Sequence, residues 1–298
     1  MFNNKLPEFA SDFIWINGKF FHLNEAYIHV LTHSLHYAGA VWEGERSYNG
    51  KIFKLEEHTN RLLKSAEYMG FTPLKYSAQE INAVTYKLLE KNSLKDAYIR
   101  PIIWRGAESM AIYNSTLTVN MLIAMLPSRS EFLNNLKLNL SNWCKPSPKA
   151  FPPQAKSSTH YGMPVVSQIT ASNNGYDDSL VLDEEGYVAE CNVANIFFGK
   201  GNKLVTPIAD RFLNGITRQA VIEMVKSMEF EVIEARIPLE DLAKYEYSFI
   251  TGTAREIGGV SSIDLGKIVH YFPDPEEKIK MLQSCLLYTS DAADDTPC

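Results

Sequence analysis

The sequence predicts a two-domain protein of mixed α/β structure (α+β), with a smaller N-terminal domain and a larger, strand-rich C-terminal domain. Three observations predict this class. Helical and strand patterns are mixed in the first half of the chain, and short strand patterns dominate the second. A polar stretch lies between the halves. The 298 residues suffice for one large or two medium domains.

The elements of the first domain are predicted from turn residues and apolar spacing. Asn17 and Gly18 lie between two apolar runs, as a tight hairpin turn requires. Ser77 and Glu80 form a capping-box pattern at the start of a helix. The predicted elements are hairpins at 13–21 and 47–53, helices at 55–68 and 77–90, and strands at 98–104 and 118–126.

The domain boundaries follow from a break in these patterns. The polar stretch 128–135 is predicted to be a linker between a first domain, 1–127, and a second domain, 136–284. The segment 285–298 is unlike the rest of the chain. The second domain is predicted to contain strands at 136–140, 179–183, 187–190, 194–198, 203–206, 230–237 and 247–250, and a helix at 216–228.

Composition excludes several classes of protein. The hydrophobic fraction is 45%, the charged fraction 21% and the formal net charge -6, with no Lys/Arg run, so we expect no nucleic-acid partner. We expect no membrane span and no secretory signal, because long apolar stretches are missing. The four cysteines form no CxxC pair, so we expect no metal site and reduced thiols in the cytoplasm.

Two small-residue turns are candidate anion sites. Thr217 follows Asn214-Gly215-Ile216 at the start of a predicted helix, where free N–H groups favour a phosphate. Taken alone, this turn fits an ordinary N-cap better. The turn 251–254 follows a strand and can equally be a plain connection. The glycine-rich phosphate loops and the serine nucleophile elbow are missing from the sequence.

Several long segments in this order resemble the branched-chain aminotransferases, which are fold-type IV pyridoxal-phosphate enzymes. The resemblance runs from about residue 13 to about residue 263. The segments that carry it are HSLHYAGAVWEGERSY, EEHTNRLLKSA, AYIRPIIWRG, AKSSTHY, DEEGYVAECNVANIFF, LNGITRQAV and ITGTAREI.

The resemblance implies that pyridoxal 5'-phosphate is the cofactor and that Lys156 is the catalytic lysine. The chemistry needs a primary amine that condenses with the cofactor aldehyde and later moves a proton. Lys145 and Lys149, in the neighbouring proline-rich stretch, are expected to be solvated. Glu190 is implied as the partner of the pyridine nitrogen, and Tyr161 as the partner of the phenolic oxygen.

The resemblance also implies a set of phosphate contacts. It implies that Arg61 contacts the phosphate rather than lying on a solvated helix surface, and a guanidinium fork suits phosphate oxygens. Ile216, Thr217 and Thr253 complete the implied set, so the resemblance changes the interpretation of both turns.

The resemblance implies the substrate contacts as well, at positions that match those of the family. Apolar walls are assigned to Tyr37, Trp42, Tyr161 and Ile112, and a carboxylate contact to Tyr98 and Arg100. Ala254 is added to the substrate set. In the family, the equivalents of Tyr37 and Ile112 come from a neighbouring subunit, so a homodimer is expected. Trp42 departs from the usual phenylalanine, which favours a narrower pocket.

The expected reaction transfers an amino group from leucine, isoleucine or valine to 2-oxoglutarate. The alternatives are a D-amino-acid transaminase, an aminodeoxychorismate lyase of the same fold, and a relative without catalytic activity. The family usually ends in a helix. The chain after residue 284 resembles translated adapter sequence, so we expect that helix to be missing.

Overall fold

The computed structural model describes residues 11–129, 132–272 and 276–292. These residues form two compact units. The first comprises the described residues up to Arg129 together with Ala155–His160, and the second comprises the remainder. The predicted boundaries treated each domain as continuous, whereas the first unit takes up a short segment from the middle of the chain. Residues 130 and 131 of the proposed linker lie outside the described ranges.

The first unit is built on a seven-stranded sheet in the order β2-β1-β7-β6-β4-β5, with β3 paired to β6. The predicted hairpin turn at Asn17 and Gly18 is confirmed, since both have positive φ as a primed turn requires. The elements are β1 Phe13–Ile16, β2 Lys19–His22, α1 His33–Tyr37, β3 Ala40–Trp42, β4 Glu45–Tyr48, β5 Lys51–Ile52, α2 Leu55–Tyr68, α3 Ala78–Lys91, β6 Ala97–Arg105 and β7 Val119–Pro127.

Two helices cover one face of this sheet. The predicted capping box at Ser77 and Glu80 is confirmed and begins α3. The helix buries Ile81, Leu88 and Leu89 in the core of the unit, at helical spacing. The β6–β7 pair supplies the opposite wall of this core through alternate residues.

The second unit contains a nine-stranded mixed sheet in the order β10-β9-β8-β15-β14-β11-β12-β13, with β16 paired to β15. Strands β8–β9, β8–β15 and β12–β13 are parallel pairs. The elements are β8 Leu136–Leu140, α4 Gly162–Asn173, β9 Asp178–Leu182, β10 Val188–Cys191, β11 Asn195–Lys200, β12 Lys203–Pro207, α5 Ile216–Ser227, β13 Glu231–Ala235, β14 Tyr247–Gly252, β15 Glu256–Asp264, β16 Val269–Tyr271 and α6 Glu276–Ala292.

The expectation that the final helix is missing is wrong. Helix α6 buries Ile279, Leu282 and Leu286 in a core cluster that also contains residues of α5 and β14. Their spacing places these side chains on one helix face. The last part of the atypical segment, residues 293–298, lies outside the described residues. No helix within the described ranges is long and apolar enough to span a bilayer.

Candidate active site

The segment that carries Lys156 is fixed through its backbone. The Lys156 N–H donates to Ser65 Oγ at 3.0 Å, and the Lys156 carbonyl accepts from the Trp42 N–H at 3.1 Å. An isolated antiparallel bridge joins the same segment to β3. These contacts tie residues 155–157 to β3 and α2, which explains why the segment belongs to the first unit.

The Lys156 side chain lies in a desolvated setting. Its Nζ is 4.4 Å from the centroid of the Trp42 indole. Its surroundings together lower the pKa of Lys156 to about 8: burial lowers it most, the Glu43 carboxylate opposes this, and the Arg61 charge lowers it as well. A pKa of about 8 leaves roughly a tenth of the amine neutral at pH 7, far more than for an ordinary lysine. The amine is therefore available as a nucleophile and base.

Arg100 is stacked beside the same indole. Its Cζ lies 4.0 Å from the Trp42 ring centroid, and its Nη2 donates to Tyr98 Oη at 2.6 Å. Tyr98 and Arg100 share one face of β6 because they are two residues apart. A Cβ at position 44 would overlap the Tyr98 hydroxyl, so the glycine at this position makes room for the Tyr98 side chain. The buried Arg100 Nε has no hydrogen-bond partner in the described part of the chain, as suits an anion-binding group.

Arg61 is held by a buried carboxylate that our sequence analysis missed. Glu43 accepts from Arg61 Nε at 2.6 Å and from Arg61 Nη2 at 2.8 Å, and it lies 2.7 Å from His58 Nδ1. His58 and Arg61 share a face of α2 because they are three residues apart. Burial alone would raise the pKa of Glu43, but Arg61 and His58 hold it well below its usual range. The pair fixes the direction of the Arg61 guanidinium.

Tyr37 and Ile112 lie on an exposed apolar part of the first unit. Their side chains are 43% and 78% exposed. Tyr37 Oη donates to the Met110 carbonyl at 2.8 Å, and His33 Nε2 lies 3.0 Å from the Ile112 carbonyl oxygen. The segments 33–37 and 110–113 therefore pack side by side and present a common surface.

In the second unit, Glu190 is a buried acid on β10 with two polar neighbours. Lys145 Nζ lies 2.7 Å from Glu190 Oε1, and Asn195 Nδ2 donates to Glu190 Oε2 at 3.1 Å. The expectation that Lys145 is solvated is wrong, because its side chain is 9% exposed. Its N–H donates to the Leu182 carbonyl at 2.8 Å, which places the residue against the sheet. Lys149 is exposed, as predicted.

Asn195 also joins Glu190 to the start of α5. Its Oδ1 accepts from the Gly215 N–H at 3.1 Å, and its Nδ2 donates to the Leu213 carbonyl at 3.1 Å. A Cβ at position 215 would overlap Asn195 Oδ1, so this close approach requires glycine. Helix α5 begins at Ile216 without a side-chain cap, and Thr217 is buried in its first turn. This helix start suits an anion.

The turn at Thr253 and Ala254 lies at the same end of the sheet as Asn195. It follows β14, whose Thr251 pairs with Asn195 of β11. Thr253 is half-buried and Ala254 is exposed. Tyr161 ends a short 3-10 segment directly before α4 and is half-buried. The second unit thus brings together Glu190, the start of α5 and this turn.

The two units each contribute a group of polar residues. The first has the desolvated Lys156, and the second has the buried Glu190 and the uncapped start of α5. Together with the fold, these groups define a class of enzyme. The model of the amino-transferase class IV family matches residues 40–263, and the chain belongs to this family. A relative from Rickettsia bellii is named a probable branched-chain-amino-acid aminotransferase. It is 50% identical over 263 residues, which cover 88% of this chain and 91% of that relative.

Solved structures agree with this assignment. The branched-chain amino acid aminotransferase from Escherichia coli has a TM-score of 0.88 and 30% identity, and the match covers 96% of each chain. The enzyme of the same name from Thermobaculum terrenum, solved in its PLP-form, has a TM-score of 0.87 and 27% identity, also over 96% of each chain. The predicted fold class and the family resemblance are confirmed.

Proposed function

We propose that this chain catalyses the transamination of leucine, isoleucine and valine with 2-oxoglutarate, using pyridoxal 5'-phosphate. The products are branched-chain 2-oxo acids and L-glutamate. The observation that carries the proposal is a desolvated lysine with a lowered pKa in a member of an aminotransferase family. When bound, the cofactor supplies an aldehyde that condenses with amines and a ring that accepts electrons from the substrate Cα.

Lys156 provides the reactive amine. Its neutral form would hold the cofactor through the aldehyde. With substrate bound, the free amine would be the base that moves the proton of the substrate Cα. Desolvation of the ammonium group is what makes the neutral form available at working pH.

The residues of the second unit fit the two ends of the cofactor. The buried carboxylate of Glu190 suits a protonated ring nitrogen. The uncapped start of α5 suits the phosphate, with contacts from Ile216, Thr217 and Thr253. Tyr161 is assigned to the phenolic oxygen. In the first unit, Arg61 is assigned to the phosphate, with its orientation set by Glu43.

Substrate recognition is assigned mainly to the first unit. Arg100 and Tyr98 form a hydrogen-bonded pair that suits a carboxylate, as 2-oxoglutarate requires. Trp42 offers an apolar wall beside Lys156, as a branched side chain requires. Tyr37, Ile112 and Ala254 complete the proposed substrate set.

We further propose that the working form is a homodimer in the cytoplasm. The exposed apolar segments that contain Tyr37 and Ile112 suit contact with a second copy. The free thiols at Cys144, Cys191 and Cys285 suit a reducing compartment. The small-molecule partners are amino acids and 2-oxo acids.

An amino-donor panel with 2-oxoglutarate tests the function. We expect leucine, isoleucine and valine to be the preferred donors, and we expect Lys156→Ala to remove both activity and the absorbance of lysine-bound cofactor. Lys149→Ala is the matched control, because Lys149 is an exposed lysine of the adjacent stretch. Equal activity in Lys156→Ala would contradict the mechanism. A preference for D-alanine, or pyruvate release from aminodeoxychorismate without an acceptor, would contradict the substrate class.

A further inference from the structure

Lys145 is a buried cation directed at the proposed partner of the cofactor ring. Its Nζ lies 2.7 Å from Glu190 Oε1, and both side chains are less than a tenth exposed. Asn195 holds the other carboxylate oxygen at 3.1 Å. The two partners together fix the plane of the carboxylate.

We propose that Lys145 is a positioning residue whose charge keeps the shared proton on the cofactor's ring nitrogen rather than on Glu190. The inference rests on the proposed function, because it gives Lys145 a task only when pyridoxal 5'-phosphate is bound. It goes further by assigning a role to a residue that does not touch the substrate.

The physical argument concerns where a shared proton lies. A carboxylate and a pyridine nitrogen in hydrogen-bond contact share one proton between them. A cation on the far side of the carboxylate stabilises the carboxylate anion and repels the proton, which is therefore favoured on the more distant nitrogen. Without that cation, burial favours the neutral acid, and the proton moves to Glu190. The ring then withdraws electrons less strongly.

A purely structural role is the competing explanation. A buried ion pair adds little net stability compared with apolar residues of similar size, because both charges lose their hydration. The decisive property is therefore the charge of Lys145 rather than its volume or its hydrogen bond. Three substitutions separate these properties: Lys145→Arg keeps the charge, Lys145→Gln keeps a donor, and Lys145→Met keeps neither.

The test measures the ring nitrogen directly. Each holoenzyme is loaded with pyridoxal 5'-phosphate labelled with ¹⁵N in the ring, and the nitrogen chemical shift is recorded beside kcat and the dissociation constant of the cofactor. Lys149→Met is the control, since that lysine is exposed in the same stretch. We expect wild type, Lys149→Met and Lys145→Arg to show a protonated nitrogen. Lys145→Gln and Lys145→Met move the shift toward the neutral nitrogen.

We expect kcat to fall by about 10–100-fold in the two uncharged variants, comparable with losing a group that orients a metal ligand. A protonated nitrogen in both uncharged variants would overturn the proposal, even if their stability fell. If Lys145→Met does not fold, Lys145→Gln against Lys145→Arg still decides between charge and packing. Wild-type protein that does not attach the cofactor at all would instead refute the proposed function, and this inference with it.

Discussion

At the scale of single residues, the chemistry depends on charges that the fold removes from water. Lys156 and Glu43 illustrate two outcomes of burial. Lys156 has its pKa lowered because its ammonium group is desolvated, whereas Glu43 stays ionised because Arg61 and His58 outweigh the same penalty. The lysine is thereby made reactive, and the acid becomes a fixed anion.

The lowered pKa of Lys156 predicts how cofactor capture depends on pH. Only the neutral amine attacks the aldehyde, so the capture rate of the apoenzyme should rise about tenfold per pH unit and level off near pH 8. Stopped-flow absorbance after mixing with pyridoxal 5'-phosphate measures this rate. A rate that still rises at pH 10 would show that Lys156 has the pKa of an ordinary lysine.

Glu43→Gln is a second arm of this experiment. The Glu43 charge raises the pKa of Lys156, so its removal should move the midpoint of the profile to lower pH. An unchanged midpoint would mean that the Glu43 charge does not influence the pKa of Lys156.

Sequence reasoning identified some of these residues and missed others for one physical reason. Lys156 and Glu190 lie in long segments that resemble a known family. Lys145 was expected to be solvated, and Glu43 and Asn195 were missed, because their roles depend on partners in other elements of the fold. A lysine in a proline-rich stretch looks solvated until the fold places an acid against it.

At the scale of elements, local signals predicted the hairpins and the capped helix, since turn and cap residues act over a few positions. Among the elements that were missed, two have a composition that opposes their structure. Helix α4 contains Pro164 and several β-branched residues, which favour other conformations. Strand β15 contains Gly258 and Gly259, which weaken a strand pattern.

The start of α5 should be sensitive to one added methyl group. Gly215→Ala places a Cβ against Asn195 Oδ1, so we expect a loss of about 1–3 kcal/mol in the free energy of unfolding, as overpacking produces. Cofactor affinity should fall as well. Gly162→Ala is the control, because a Cβ there meets nothing within 4 Å. Urea unfolding and cofactor titration measure both effects, and equal behaviour of the two variants would contradict the geometry.

Helix α6 should contribute strongly to the stability of the second unit. Leu282 is fully buried in its core cluster, so Leu282→Ala should reduce the free energy of unfolding by about 2–5 kcal/mol. Ser284→Ala, on the exposed side of the same helix, should change it by less than about 0.5 kcal/mol. If the two variants unfold at the same urea concentration, the helix does not pack as the structure indicates.

At the scale of the whole molecule, the surface of the first unit predicts self-association. Val30 and Leu35 are 67% and 61% exposed and lie close in sequence to Tyr37. Several exposed apolar side chains on one short segment, here residues 30–37, are typical of a protein–protein contact. The two units themselves have separate cores.

The double variant Val30→Asp/Leu35→Asp should yield monomers, because charges in an apolar contact lose their hydration without gaining partners. Light scattering after gel filtration measures the mass. Ile268→Asp, at an equally exposed apolar residue of the second unit, is the control. A monomeric wild type, or a double variant that keeps the wild-type mass, would refute the dimer.

The two-sided bonding of Asn195 has a consequence for ligand size. One amide contacts both the acid proposed for the ring and the loop that precedes α5. The separation between those two points is thus set by a single rigid side chain rather than by a flexible loop. A pyridoxal analogue with one extra methylene before its phosphate is therefore expected to bind this chain more weakly than pyridoxal 5'-phosphate.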